Sequence, residues 1–126
     1  MTARVKLKQL PDLYAVSRLD AGDRIPGWAD GPGFVSITRT EDELSIVCVQ
    51  ERVPAAVRQD TDWVAFKLQG PFAFDETGIV LSVIRPLSEN GLGIFLVSTF
   101  DGDHLLVKAK DQVAARDLLV GAGHTL

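Results

Sequence analysis

The chain has 126 residues, 46% of them hydrophobic and 24% charged, with a net charge of −4; this size suits one compact domain or two small subdomains sharing a core, and the composition argues against disorder. A duplex nucleic-acid binder needs a phosphate-neutralising surface, which this charge balance argues against without excluding a local basic patch. One cysteine and two histidines rule out an intramolecular disulfide and make a structural zinc site a poor reading.

The opening run Met1-Thr2-Ala3-Arg4-Val5-Lys6-Leu7-Lys8 alternates basic and apolar residues and has no signal-peptide layout. No apolar run reaches the length of a membrane span, so a cytoplasmic location and no membrane partner are expected. Strict alternation from Val5 to Leu10 predicts a half-buried strand, and Leu13–Ser17 a second. The turn-rich stretch from Asp20 to Trp28 has room for one helical turn. Phe34–Thr38 and Leu44–Val49 flank a polar Thr-Glu-Asp turn and predict a hairpin. Cys48, inside the apolar run, reads as a buried and unreactive thiol. The polar stretch from Gln50 to Asp62, with Pro54 inside it, predicts a boundary, giving subdomains over residues 1–60 and 61–126.

Trp63–Leu68 predicts a strand ended by Gly70-Pro71. A helix is expected to begin after Phe74 with Asp75 as its cap, because a carboxylate there can accept from the free N–H groups of the first turn. Ile79, Val80, Val83, Ile84 and Leu87 recur at helical spacing and predict its buried face. A break is expected at Pro86, and a stop at Asn90-Gly91. Gly93–Thr99 is apolar enough to predict an interior strand. Asp101-Gly102 predicts a tight turn, and His104–Lys108 the returning strand. Asp111 is expected to cap a final helix from Gln112 to Val120, with Val113, Ala114 and Leu118 on its buried face and Gly121 as its stop. The order strand–helix–strand–strand–helix predicts an α+β chain on the ferredoxin-like βαββαβ plan, which needs one more strand from the strand-rich first half.

Two runs, Gly70-Pro71-Phe72-Ala73-Phe74-Asp75-Glu76-Thr77-Gly78-Ile79-Val80 and Ile94-Phe95-Leu96-Val97-Ser98-Thr99-Phe100-Asp101-Gly102-Asp103-His104-Leu105-Leu106-Val107, resemble the tandem ACT proteins related to the cytosolic arginine sensors called CASTOR. The run from Leu44 to Pro54 resembles small bacterial members. The resemblance implies a regulatory protein without catalytic residues, two ACT-like subdomains of which the first is degenerate, and a homodimer. It also implies an amino-acid ligand, arginine or another, held between two ACT units. One unit offers Asp75, Glu76, Thr77, Gly78 and Ile79 with Thr99, Phe100 and Asp103. The other, from a partner subunit, offers the strand edge at Gly93 and Ile94.

The residue types suit such a ligand. Free N–H groups and the positive end of a helix dipole attract a carboxylate. Asp103 or Glu76 can receive an ammonium group, Thr77 adds a hydroxyl, and Phe100 offers an apolar wall. Each has a plainer reading as well: Asp75 as a cap, Gly78 as room for helix–sheet packing, Phe100 as core, His104 as a solvated edge residue. No cofactor or metal is expected. Gly91-Leu92-Gly93 lacks the third glycine of a dinucleotide loop, and Asp101 and Asp103 lack the calcium-loop spacing. A module with an empty site, working through protein contacts alone, is the alternative.

Overall fold

The computed structural model describes residues 3–70, 72 and 77–126. In chain order its elements are β1 (Leu7–Gln9), β2 (Tyr14–Leu19), β3 (Ser36–Arg39), β4 (Leu44–Val49), β5 (Gln59–Leu68), α1 (Ile79–Ser88), β6 (Ile94–Ser98), β7 (Asp103–Lys108) and α2 (Gln112–Gly121). Short 3-10 turns lie at Gly27–Ala29, Gln50–Arg52 and Ala109–Asp111. The chain divides into two units, Asp12–Trp63 and a second made of Met1–Pro11 with Val64–Leu126.

In the unit Asp12–Trp63, β2 pairs antiparallel with β4, from Leu19↔Leu44 to Tyr14↔Val49, and β3 pairs with the other edge of β4. The β3–β4 turn closes because Thr40 Oγ1 accepts from the backbone N–H groups of Asp42 and Glu43, both at 3.1 Å. Ala15, Leu44, Ile46 and Cys48 form a core against Trp28 and Val35. Burial pushes the Cys48 thiol up, only partly opposed by the Arg52 guanidinium, so the thiol stays protonated and inert.

The polar stretch read as a boundary holds a 3-10 turn and the start of β5, whose residues Gln59 and Trp63 pair with Ser17 and Tyr14 of β2. Its strand pattern is obscured because Asp60 and Asp62 point outward and Asp62 adopts a left-handed φ of 65°. Gln50 holds that conformation. Its Oε1 accepts from the Asp62 N–H at 2.7 Å, and its Nε2 donates to Asp62 Oδ1 at 3.2 Å.

In the other unit, β1 pairs antiparallel with β5 (Leu7↔Leu68, Lys8↔Lys67), β5 neighbours β7, and β7 pairs antiparallel with β6 from Ile94↔Val107 to Ser98↔Asp103. The order β1-β5-β7-β6 with two helices is the ferredoxin-like plan, its fourth strand supplied by the segment before residue 12. Leu7, Phe66, Leu68, Leu105 and Val107 from the strands meet Val83, Leu87, Ala115 and Leu119 from the helices in one buried cluster. At β6 the sequence expectation fails: this apolar strand is the sheet edge, and Ile94 to Val97 are only half-buried.

Helix α1 begins at Ile79, not directly after Phe74, and Gly78 occupies its N-cap position with φ 81° and no side-chain cap. The expected cap, Asp75, lies outside the described residues, as does Glu76. The expected break at Pro86 does not occur; the helix runs through it to Ser88. Proline has no N–H, so the Ser82 carbonyl four residues back loses its helical donor. The buried ring of His124 replaces it, with Nε2 2.8 Å from the Ser82 oxygen. Because Nδ1 accepts from the Val5 N–H at 3.0 Å, Nε2 is the nitrogen that donates.

Helix α2 buries Ala115 and Leu119, with Leu118 half-buried; Val113 and Ala114, expected inside, are exposed. Its start follows a 3-10 turn, and its buried stripe runs through Ala115, Leu118 and Leu119 at i, i+3, i+4 spacing. Asp111 sits at the N-cap position without a side-chain cap bond. The helix passes through Gly121, and the left-handed glycine that follows it is Gly123, with φ 98°.

Candidate functional site

Gly78 starts α1, and a Cβ built on it meets no described residue within 4 Å. Among the described residues neither close packing nor close backbone approach calls for glycine there. The left-handed φ does. The first internal bond of the helix is the Ser82 N–H to the Gly78 oxygen at 3.0 Å, so the N–H groups of Ile79, Val80 and Leu81 have no partner inside the helix.

The β6–β7 hairpin comes up beside this helix start. Ser98 pairs with Asp103, and the four residues between them form the loop. Thr99 closes it twice on the Gly102 carbonyl, through its N–H at 2.7 Å and its hydroxyl at 2.9 Å. The loop is also fixed from behind: a Cβ on Gly70 would stand 2.5 Å from the Asp101 carbonyl oxygen. The Ser98 hydroxyl donates to Asp103 Oδ1 at 2.5 Å, fixing the carboxylate.

A groove of about 290 Å³ runs between helix start and hairpin, and Gly78, Ile79, Thr99, Phe100 and Asp103 all line it. The structure thus brings five of the ten residues named from sequence around one space. Thr77 lines an adjoining groove that also includes Gly78. Gly93 and Ile94 are not in this set. They sit at the far end of β6 from Ser98, roughly 13–17 Å away at the rise of an extended strand. Phe100 is 77% exposed, a groove rim and not core.

A cavity of about 610 Å³ shares Thr99, Gly102 and Asp103 with this groove and is lined further by Lys67, Gln69, Gly70 and His104. His104 is half-buried on β7, which lies between β5 and β6, so it is no solvated edge residue. Burial and the nearby Lys67 ammonium push the imidazole below its ordinary range, and Asp103 only partly opposes them. Sequence reasoning missed the roles of Lys67 and Ser98; the register of the hairpin would have paired Ser98 with Asp103, while nothing local marks Lys67. Among the described residues no cluster of three or more His, Cys, Asp or Glu could hold a metal ion, and no helix is long and apolar enough to cross a membrane.

The sequence profile of the ACT domain matches residues 58–120, and a separate profile for an N-terminal domain matches residues 12–56. The chain is 65% identical to protein Atu0741 from Agrobacterium tumefaciens, whose crystal structure superposes with a TM-score of 0.95, covering 99% of this chain and 93% of that one. It is 29% identical over 91 residues to the human protein CASTOR3P, a match covering 62% of this chain and 56% of that protein, so the chain matches little more than half of that curated relative's length. At 9% identity it shares its fold with the regulatory subunit of aspartate kinase from Thermus thermophilus, with a TM-score of 0.61 over 96% of this chain and 99% of that subunit.

Proposed function

Since this chain belongs to the ACT-domain family, we propose that it is a non-catalytic, cytoplasmic regulatory module that binds a small molecule, and that the ligand is an amino acid. The observation that carries this reading is the groove shared by the start of α1 and the Asp103 hairpin. Backbone N–H groups without a partner inside the helix suit the ligand's carboxylate on one side, and the Asp103 carboxylate on the other suits its ammonium group. Asp75 and Glu76 belong to the same proposed set, as does Thr77.

The groove is open, and Phe100 stands at its rim with most of its ring in water. A second ACT unit covering it completes the site. That unit comes from a partner subunit in a homodimer, offering its edge at Gly93 and Ile94. Ligand then biases the dimer by its unequal affinity for two arrangements of the subunits.

Isothermal titration of the folded dimer with each of the twenty amino acids tests the proposal. At least one gives saturable heat, lost in Asp103→Ala; flat traces for all twenty end it. A second reading, an interaction module with no ligand, draws support from Ser98 and Thr99, whose hydroxyls already donate within the hairpin. It expects a dimer whose affinity is unchanged by Asp103→Ala and by every amino acid.

A further inference from the structure

Helix α2 turns one side to the core and leaves the other in water. Ala115 and Leu119 are buried, while Lys110, Val113, Ala114, Asp117 and Val120 are exposed. The exposed positions recur at spacings of three and four, so they form one stripe. It starts in the 3-10 turn Ala109–Asp111 and follows the helix to its last turn. The middle of the stripe is apolar: Val113 is 74% exposed beside Ala114, and Val120, 57% exposed, extends it by a further turn. A single exposed valine is ordinary. Here two lie on one helix face, and the first is framed by a positive charge before it and a negative charge after it.

The outer face of α1 pairs its own charges, with Arg85 and Glu89 3.7 Å apart within one turn. The outer face of α2 does not. Among the described residues the ion pairs are Arg18–Asp20 and Arg85–Glu89, so neither Lys110 nor Asp117 has one there. Seven positions along a helix span roughly 10 Å, which puts the two beyond each other's reach within one chain. A two-fold axis removes that obstacle, because in such a contact each patch meets its own copy and every pairing occurs twice. Two α2 helices laid antiparallel and crossing at Val113–Ala114 bring Lys110 of each to Asp117 of the other. A parallel pair would set lysine on lysine and aspartate on aspartate, so the charge pattern selects the antiparallel arrangement.

We infer that the outer face of α2 docks the same face of a second copy of this chain, antiparallel, with Val113 and Ala114 at the crossing and Lys110 paired to Asp117 of the partner subunit on both sides of it. The four positions 110, 113, 114 and 117 have the spacing of the contact patch where two helices cross, and the small side chain of Ala114 lets the backbones come close. One short helix face buries less than the roughly 800 Å² per partner of a standard interface, so the pairing is reversible and depends on concentration. None of these residues lines the Gly78 groove or belongs to β6. The surface is therefore separate from both and does not rest on the amino-acid reading.

Sedimentation of the full chain over a range of concentrations, at low and high salt, tests the contact. The wild type shows a concentration-dependent association step that weakens as salt screens the charges. Lys110→Glu and Asp117→Lys each place like charges opposite and weaken that step about tenfold or more. The double variant exchanges the two charges and restores it. Both side chains are exposed, so all three variants keep the wild-type melt. Pairing through β6 uses none of these side chains, so any dimer formed there persists in every variant. An association pattern that both single variants leave unchanged overturns the contact, and so does a double variant no better than the singles. Weakening by Asp117→Lys alone assigns the helix to a different basic surface and equally overturns the two-fold pairing.

Discussion

The Nε2 nitrogen of His124 donates to the carbonyl oxygen of Ser82 at 2.8 Å, the acceptor that Pro86 leaves without a helical partner. The same ring accepts from Val5 through Nδ1. One buried side chain thus satisfies a defect in α1 and ties the opening segment of the chain to it.

Replacing His124 with alanine strands two backbone groups, each costing about 1–3 kcal/mol when buried without a partner. The expected loss is about 2–6 kcal/mol in urea unfolding. Pro86→Ala restores a helical donor for Ser82, so the double variant loses less than the sum of the two single changes. Strict additivity in that double-mutant cycle would contradict the role given to His124.

Two glycines near the groove respond differently. At Gly70 a Cβ would meet the Asp101 carbonyl at 2.5 Å, and Gly70→Ala forces the hairpin to move at a cost of about 1–3 kcal/mol. At Gly78 no described residue stands within 4 Å of such a Cβ and φ is what is at stake, so Gly78→Ala costs about 1–2 kcal/mol. Thermal melts rank the two; amide shifts spread over the 99–103 loop are expected for Gly70→Ala alone.

The depressed His104 imidazole makes stability depend on pH. The unfolded chain binds the proton more readily than the folded one, so stability is complete above the ordinary imidazole range and falls as pH drops through it toward the depressed folded value. In His104→Gln that part of the decline is absent. Parallel curves of unfolding free energy against pH for wild type and variant would contradict it.

Asp103→Asn keeps the Ser98 hydrogen bond possible and removes the charge. Under the amino-acid reading it lowers ligand affinity about tenfold or more and leaves the melting temperature within a few degrees of wild type. Calorimetry and a melt on the same sample decide whether charge or hairpin geometry carries binding.

Local signals were legible where local chemistry decides the structure. The β3–β4 hairpin, the Asp101-Gly102 turn and the apolar face of α1 follow from side-chain period and turn residues. The α1 start was misread because Asp75 is a good cap by type, whereas the helix begins at Gly78 through backbone conformation. The α2 face was misread because Val113 and Ala114 are apolar by type, whereas the buried stripe runs through Ala115, Leu118 and Leu119 at i, i+3, i+4 spacing. The facing of Lys8 and Lys67 was not legible because the two meet only through a pairing between distant parts of the chain. The groove residues Gly78, Thr99, Phe100 and Asp103 came from family resemblance, and the hairpin register explains how they converge.

The strand that completes the four-stranded sheet comes from the opening segment, and the Val5–His124 bond spans 119 positions. On the ribosome β1 is synthesised early and waits for β5, with the 12–63 unit between them in the chain. Such late pairing slows folding. Lys6 and Thr125 already bridge in parallel, so a permuted gene that opens the chain at Pro11–Asp12 and joins Thr125 to the β1 segment through a short linker would place β1 directly after α2, turning a distant closure into a local one.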